Sequence, residues 1–258
     1  MIRIPDPTLA LLVLARVAGL VVSAPMLGHA LVPVRVRAAM AALLAFALVP
    51  AVAGAEPLPE PASLWALGGM VATETGLGVL LGLVAQFVFA GVQLGGQIIG
   101  IQMGFGIVNL IDPQSHAQVT IIAQWEQLMA LLAFLVLDVH HLLIRALLAS
   151  FRTAPPGGLA LAGVGLRAAV GFAGDLFVVG VRVAAPIMLV LLLTNGALGI
   201  LARTIPQLNV FVVGFPLNVG VGLLVLGAAL PFTFRLLAAR FAELEPVLDA
   251  VVRGLAHG

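Results

Sequence analysis

Charged residues and proline–glycine clusters cut the chain into long apolar blocks, and the spacing of those breaks predicts its elements. Six blocks emerge, at about 8–34, 38–55, 64–111, 117–151, 159–201 and 207–234. Each approaches or exceeds the roughly 20 residues that a helix needs to cross hydrocarbon. The linkers carry strong breakers: Pro33-Val34-Arg35, Glu56-Pro57-Leu58-Pro59-Glu60-Pro61, Asp112-Pro113, Pro155-Pro156-Gly157-Gly158 and Arg203–Pro206. No internal repeat is visible. The expected fold is all-α: a polytopic membrane protein of helical hairpins with broken helices, forming a single domain over 1–258.

The tail, 235–258, has a different pattern. Leu237, Phe241, Leu244, Leu248 and Val251 recur at steps of four and three, with Arg240, Glu243, Glu245, Asp249 and Arg253 between them. That periodicity predicts an amphipathic helix started or interrupted at Pro246. Asp249 precedes Arg253 by four residues, the favourable order for a surface pair.

Block 64–111 is too long for one simple crossing. Thr75–Ile111 holds 37 uncharged residues, about 55 Å of continuous helix against about 30 Å of hydrocarbon. Its second half contains Gly91, Gly95, Gly96, Gly100, Gly104 and Gly106, with Gln93, Gln97 and Gln102 between them. Glycines permit a break or a close approach, and glutamine in an apolar setting needs partners. The expectation is a helix, a bend near Gly91–Gly96, and a glycine-rich return ending in a loop at Asp112. The arginines lean the same way. With Arg35 and Arg37 inside, a fold-back also brings Arg145, Arg152 and Arg167 inside, together with Arg235, Arg240 and Arg253.

Composition narrows the class further. Of 258 residues, 62% are hydrophobic and 9% charged, with a mean hydropathy of +1.21. A soluble domain carries about 25% charged residues, so lipid or protein partners must cover this surface. A net charge of +1 without an arginine stripe argues against nucleic acid. All twelve basic residues are Arg. The absence of cysteine excludes disulfides, thiolate metal sites and a Cys nucleophile. Near the N-terminus, Arg16 interrupts the apolar run and Pro25 follows Val22-Ser23-Ala24, so a retained first helix is expected rather than a cleaved signal.

Few residues offer chemistry. Asp138 and His141 share a helical face, but on a regular helix His140 turns about 100° away, which favours a membrane-helix end over a metal site. Asp112 and His116 flank Pro113, where a proline turn is preferred to a proton-handling pair. Glu74, Glu126, Arg167, Asp175 and Arg182 interrupt apolar helices and are costly against lipid, so they either line a wet pathway or pair across subunit contacts, and a partner-facing role is preferred. No HExxH, GxSxG or Walker-type loop is present. The run from Gly96 through Gly100 to Gly104 is two overlapping GxxxG units, a face suited to close helix packing.

That run, Gly96-Gln97-Ile98-Ile99-Gly100-Ile101-Gln102-Met103-Gly104 followed by Asp112-Pro113, resembles a signature of the FliR/SctT family of the type III protein-export apparatus. A second segment from Asn195 to Leu217 resembles the family more closely, with Gly199, Arg203, Pro206-Gln207-Leu208 and Gly214-Phe215-Pro216 in register. Arg16, Ser23-Ala24-Pro25 and Pro155–Gly158 fit in order. Gly214-Phe215-Pro216-Leu217 is more similar to the flagellar branch than to the injectisome branch.

The resemblance implies a subunit of the flagellar export gate in the bacterial inner membrane, within the basal body. Its implied partners are FliP- and FliQ-like subunits in a helical assembly, FlhB- and FlhA-like proteins, and the unfolded flagellar proteins that pass through the pore. It implies a channel component without catalytic activity, cofactor or metal. By position, the pore plug would be Gly104, Phe105, Gly106, Ile107, Val108, Asn109, Leu110, Ile111, Asp112 and Pro113. Asn195, Gly199, Arg203, Pro206, Gln207, Gly214, Phe215 and Pro216 would be subunit contacts. The alternatives are an injectisome-type SctT-like subunit and a polytopic small-solute transporter.

Overall fold

The computed structural model describes residues 6–28, 32–53, 61–106, 120–157, 163–205 and 209–256, with side chains of 163–169, 210–211 and 255–256 excepted. Among the described residues every regular element is an α-helix. In chain order they are α1 (Pro7–Ser23), α2 (Val34–Val52), α3 (Leu64–Met103), α4 (Ile121–Val136), α5 (Val139–Thr153), α6 (Gly163–Thr204), α7 (Val210–Ala242) and α8 (Leu244–Ala256). Four of them are long and apolar enough to cross a membrane, and the bent pair α4–α5 makes up to five.

The ends follow local rules. Asp6 caps α1 by accepting the Thr8 N–H at 3.0 Å, with Pro7 in the first turn. Three helices hold interior prolines: Pro50 in α2, Pro186 in α6, and Pro216 and Pro231 in α7.

The break and glycine-rich return expected near Gly91–Gly96 do not occur. Helix α3 runs unbroken for 40 residues, about 60 Å. Each helical glycine costs about 1 kcal/mol relative to alanine, but here the bare backbone is packed against neighbouring chain, which offsets that cost. The broken span lies later in the sequence: α4 and α5 meet at a 63° bend. The residue at the break is Asp138, whose φ of 54° places it in the left-handed region.

The tail also differs from expectation. Helix α7 carries Leu237 and Phe241 without interruption, and a separate helix begins only at Leu244. The predicted apolar stripe of Leu237, Phe241, Leu244, Leu248 and Val251 is buried throughout, and α8 packs on α5.

The chain divides into two compact units. The first comprises 1–87, 134–174 and 241–258, in which α1 packs on α2 and α2 on α5. The second comprises 88–133 and 175–240. Outward faces in the second unit stay apolar: Leu193 is 66% exposed, Ile200 69% and Leu224 76%.

Candidate functional site

In the second unit the glycines of α3 serve two neighbours. A Cβ on Gly91 would lie 2.8 Å from the Leu176 carbonyl oxygen, and one on Gly95 2.8 Å from that of Gly180. Gly96 and Gly100 face the start of α4 instead, where a Cβ would come within 2.5 Å of Ala123 Cα and of Thr120 Oγ1 respectively. No side chain fits at these positions: Gly91, Gly95 and Gly96 meet neighbouring backbone, and Gly100 meets the Thr120 side chain. Thr120 secures the second contact. Its hydroxyl donates to the Gly96 carbonyl at 3.3 Å and accepts the Ala123 N–H at 3.2 Å, capping α4.

Gly104 has a different task from Gly96 and Gly100. Its φ is +98°, its N–H bonds the Ile101 carbonyl at 3.0 Å, and the Phe105 N–H bonds the Gly100 carbonyl at 2.9 Å. This is a Schellman motif, which ends α3 and satisfies its last carbonyls. A Cβ on Gly104 would also meet the Phe215 ring at 2.9 Å. Phe105 packs edge-on against Phe215, with centroids 6.2 Å apart. The start of the expected plug, Gly104-Phe105-Gly106, is thus held by a residue of the second signature segment. Ile107–Pro113 and His116 lie outside the described residues, as do Pro206 and Gln207.

The remaining signature residues lie on α6 and α7. Asn218 donates to the Asn195 amide oxygen at 2.8 Å, joining the two helices. Gly214 is buried, and Phe215 is 45% exposed. Nothing lies within 4 Å of a Cβ built on Gly199. Arg203 closes the last turn of α6, and Pro216 sits inside α7.

The polar residues expected to face partners divide into distinct groups. Glu74 is a correction, because it is buried inside its own chain, in the first unit. Its Oε2 lies 2.6 Å from Arg16 Nε, with both side chains 0% exposed. Arg16 also donates to Ser150 Oγ at 3.0 Å and to the Ala154 carbonyl at 3.0 Å, and its guanidinium lies 4.2 Å from the Phe151 ring centroid. The second carboxylate oxygen accepts the Gly157 N–H at 2.9 Å. Two glycines make this reach possible: a Cβ on Gly78 would lie 1.9 Å from the Arg16 carbonyl oxygen, and one on Gly19 2.4 Å from that of Thr75.

Glu126 corrects the same expectation: it is buried, and its Oε2 has no hydrogen-bond partner among the described residues. Asp175 pairs with Arg240 of α7 at 3.7 Å, within its own chain. Arg182 is exposed, and the side chain of Arg167 lies outside the described residues.

Sequence reasoning placed Arg16 in the resemblance but did not pair it with Glu74, and it missed Thr120 and Ser150. The signal for the first was available: two opposite charges, each alone in an apolar helix, must either meet or face water. Thr120 carried only the cue of a capping residue before an apolar run.

Comparison with known proteins places nearly the whole length of the chain in one family. Residues 8–244 match the family described as bacterial export proteins, family 1. The flagellar biosynthetic protein FliR of Escherichia coli (strain K12) is 35% identical over 243 residues, covering 94% of this chain and 92% of that protein. The protein of the same name from Bacillus subtilis (strain 168) is 37% identical over 225 residues, covering 84% and 83%. That from Pectobacterium carotovorum is 31% identical over 241 residues, covering 93% and 91%. With the family pattern matched from the first helix to the start of the last, this chain belongs to the bacterial export proteins, family 1.

Proposed function

We propose that the chain is a membrane subunit of the flagellar type III protein-export gate, acting as one functional unit over 1–258. It is a channel component that helps to pass unfolded flagellar subunits across the bacterial inner membrane, within the basal body. The observation that carries this reading, beyond family membership, is the outward surface of α6. The helix is 42 residues long, about 63 Å, whereas hydrocarbon spans about 30 Å. Val170, Phe177, Leu193 and Ile200 on it are each more than 60% exposed, an outward apolar run of about 45 Å. Lipid cannot cover an apolar helix of that length, so protein neighbours must cover the remainder.

FliP- and FliQ-like subunits are the proposed neighbours, with FlhB- and FlhA-like proteins at the cytoplasmic side. The segment 104–113 is the proposed plug, hinged at Gly104, since an apolar constriction blocks water and ions while remaining displaceable. Co-expression with FliP- and FliQ-like proteins and purification in mild detergent tests the assembly. Recovery as one complex is expected; recovery of this chain alone overturns the reading. Deleting Phe105–Ile111 is expected to leave the complex assembled and make cells leak small ions. Unchanged permeability in that mutant refutes the plug.

A further inference from the structure

We propose that Asp138, His140 and His141 form a binding site for a divalent transition-metal ion, with zinc as the ion that the ligands suit best. On a regular helix these residues would diverge, but Asp138 is not helical. Its φ of 54° turns the chain between α4 and α5. The turn brings one ligand atom from each of the three within 4.8 Å of the others. Asp138 Oδ1 lies 3.2 Å from His141 Nδ1 and 3.9 Å from His140 Nε2. Ligands on a tetrahedral zinc with bonds of about 2.0 Å are separated by about 3.3 Å. The observed distances therefore need only small side-chain adjustment to close on one ion.

Three further observations point the same way. Asp138 occupies the N-cap position of α5 yet makes no side-chain cap hydrogen bond. Aspartate at that position ordinarily accepts a backbone N–H; here the carboxylate turns to the histidines instead. The left-handed backbone favours glycine, so a side chain there is kept at a conformational cost. Finally, His140 Nδ1 is buried without a hydrogen-bond partner among the described residues, which leaves Nε2 as the nitrogen offered to the cluster. Two imidazoles and one carboxylate suit borderline ions such as Zn²⁺, not Mg²⁺ or Ca²⁺, which prefer oxygen. Three protein ligands leave a fourth position for water or a partner's side chain.

The test uses the protein purified without a histidine tag, in the complex in which it is stable, stripped with chelator and titrated with ZnCl₂. The expected result is about one zinc per chain bound below about 10 µM, weakened at least about tenfold by H140Q or H141Q. Asp138→Gly separates ligation from folding. Glycine relieves the left-handed backbone, so the metal-free thermal midpoint stays level or rises, while zinc affinity falls. Stoichiometric binding that survives H140Q, H141Q and D138G alike overturns the site. So does absence of binding below about 100 µM in the unmutated protein.

Discussion

Replacing Glu74 by alanine breaks the fully buried ion pair of the first unit. The substitution removes the 2.6 Å contact to Arg16 Nε and the acceptor for the Gly157 N–H. Arg16 would keep only Ser150 Oγ, the Ala154 carbonyl and the face of Phe151. It cannot move into water, because its helix is held against α3 by the Gly19 and Gly78 contacts. Breaking a buried pair by removing one partner costs about 3–5 kcal/mol, most of it the stranded charge. The orphaned Gly157 N–H adds about 1 kcal/mol, without strict additivity. A total near 4 kcal/mol corresponds to a fall in thermal midpoint of roughly 10 °C for a chain of this size. The assay is thermal unfolding in detergent, read beside the protein's level in membranes. The double variant Arg16→Met with Glu74→Leu is the decisive arm, since removing both charges removes the desolvation cost as well. It should recover more than half of the loss. A single variant within about 1 kcal/mol of the parent, or a double variant no better than the single, refutes the reasoning.

Other outcomes follow from the same geometry. Thr120→Val removes the α4 cap and the hydroxyl bonded to Gly96, and should cost about 1–2 kcal/mol in unfolding measurements. Gly104→Ala strains a backbone at φ +98° and presses on Phe215; a stability loss of about 1–2 kcal/mol is expected, together with reduced swimming in soft agar. Gly78→Ala meets the Arg16 backbone at 1.9 Å and should abolish accumulation of the folded chain, seen by immunoblot of membranes. Gly199→Leu meets nothing within 4 Å inside the chain. It should leave the isolated chain's thermal midpoint unchanged while preventing co-purification with FliP- and FliQ-like partners.

Much of this protein is determined by its sequence alone. A low charge density and long apolar blocks leave helices as the spanning elements, because unpaired backbone in lipid is too costly. The blocks near 38–55, 159–201 and 207–234 overlap α2, α6 and α7, with ends shifted by a few residues except at the end of α7, which runs on to Ala242. The family was legible too, since it rests on runs such as Gly214-Phe215-Pro216 that can be read in one dimension. Tertiary structure decided what each glycine and each charge does. Gly91, Gly95, Gly96 and Gly100 could have broken α3. Instead they lie within an unbroken helix and serve close packing, because Leu176, Gly180, Ala123 and Thr120 come close enough to exclude any side chain. Glu74 read as a partner contact because its own partner, Arg16, is 58 residues away in sequence. The true break fell at Asp138, which carries no glycine or proline signal. One left-handed residue there turns the chain and gathers Asp138, His140 and His141. Periodicity assumes a regular helix, and it fails where one dihedral angle leaves that geometry.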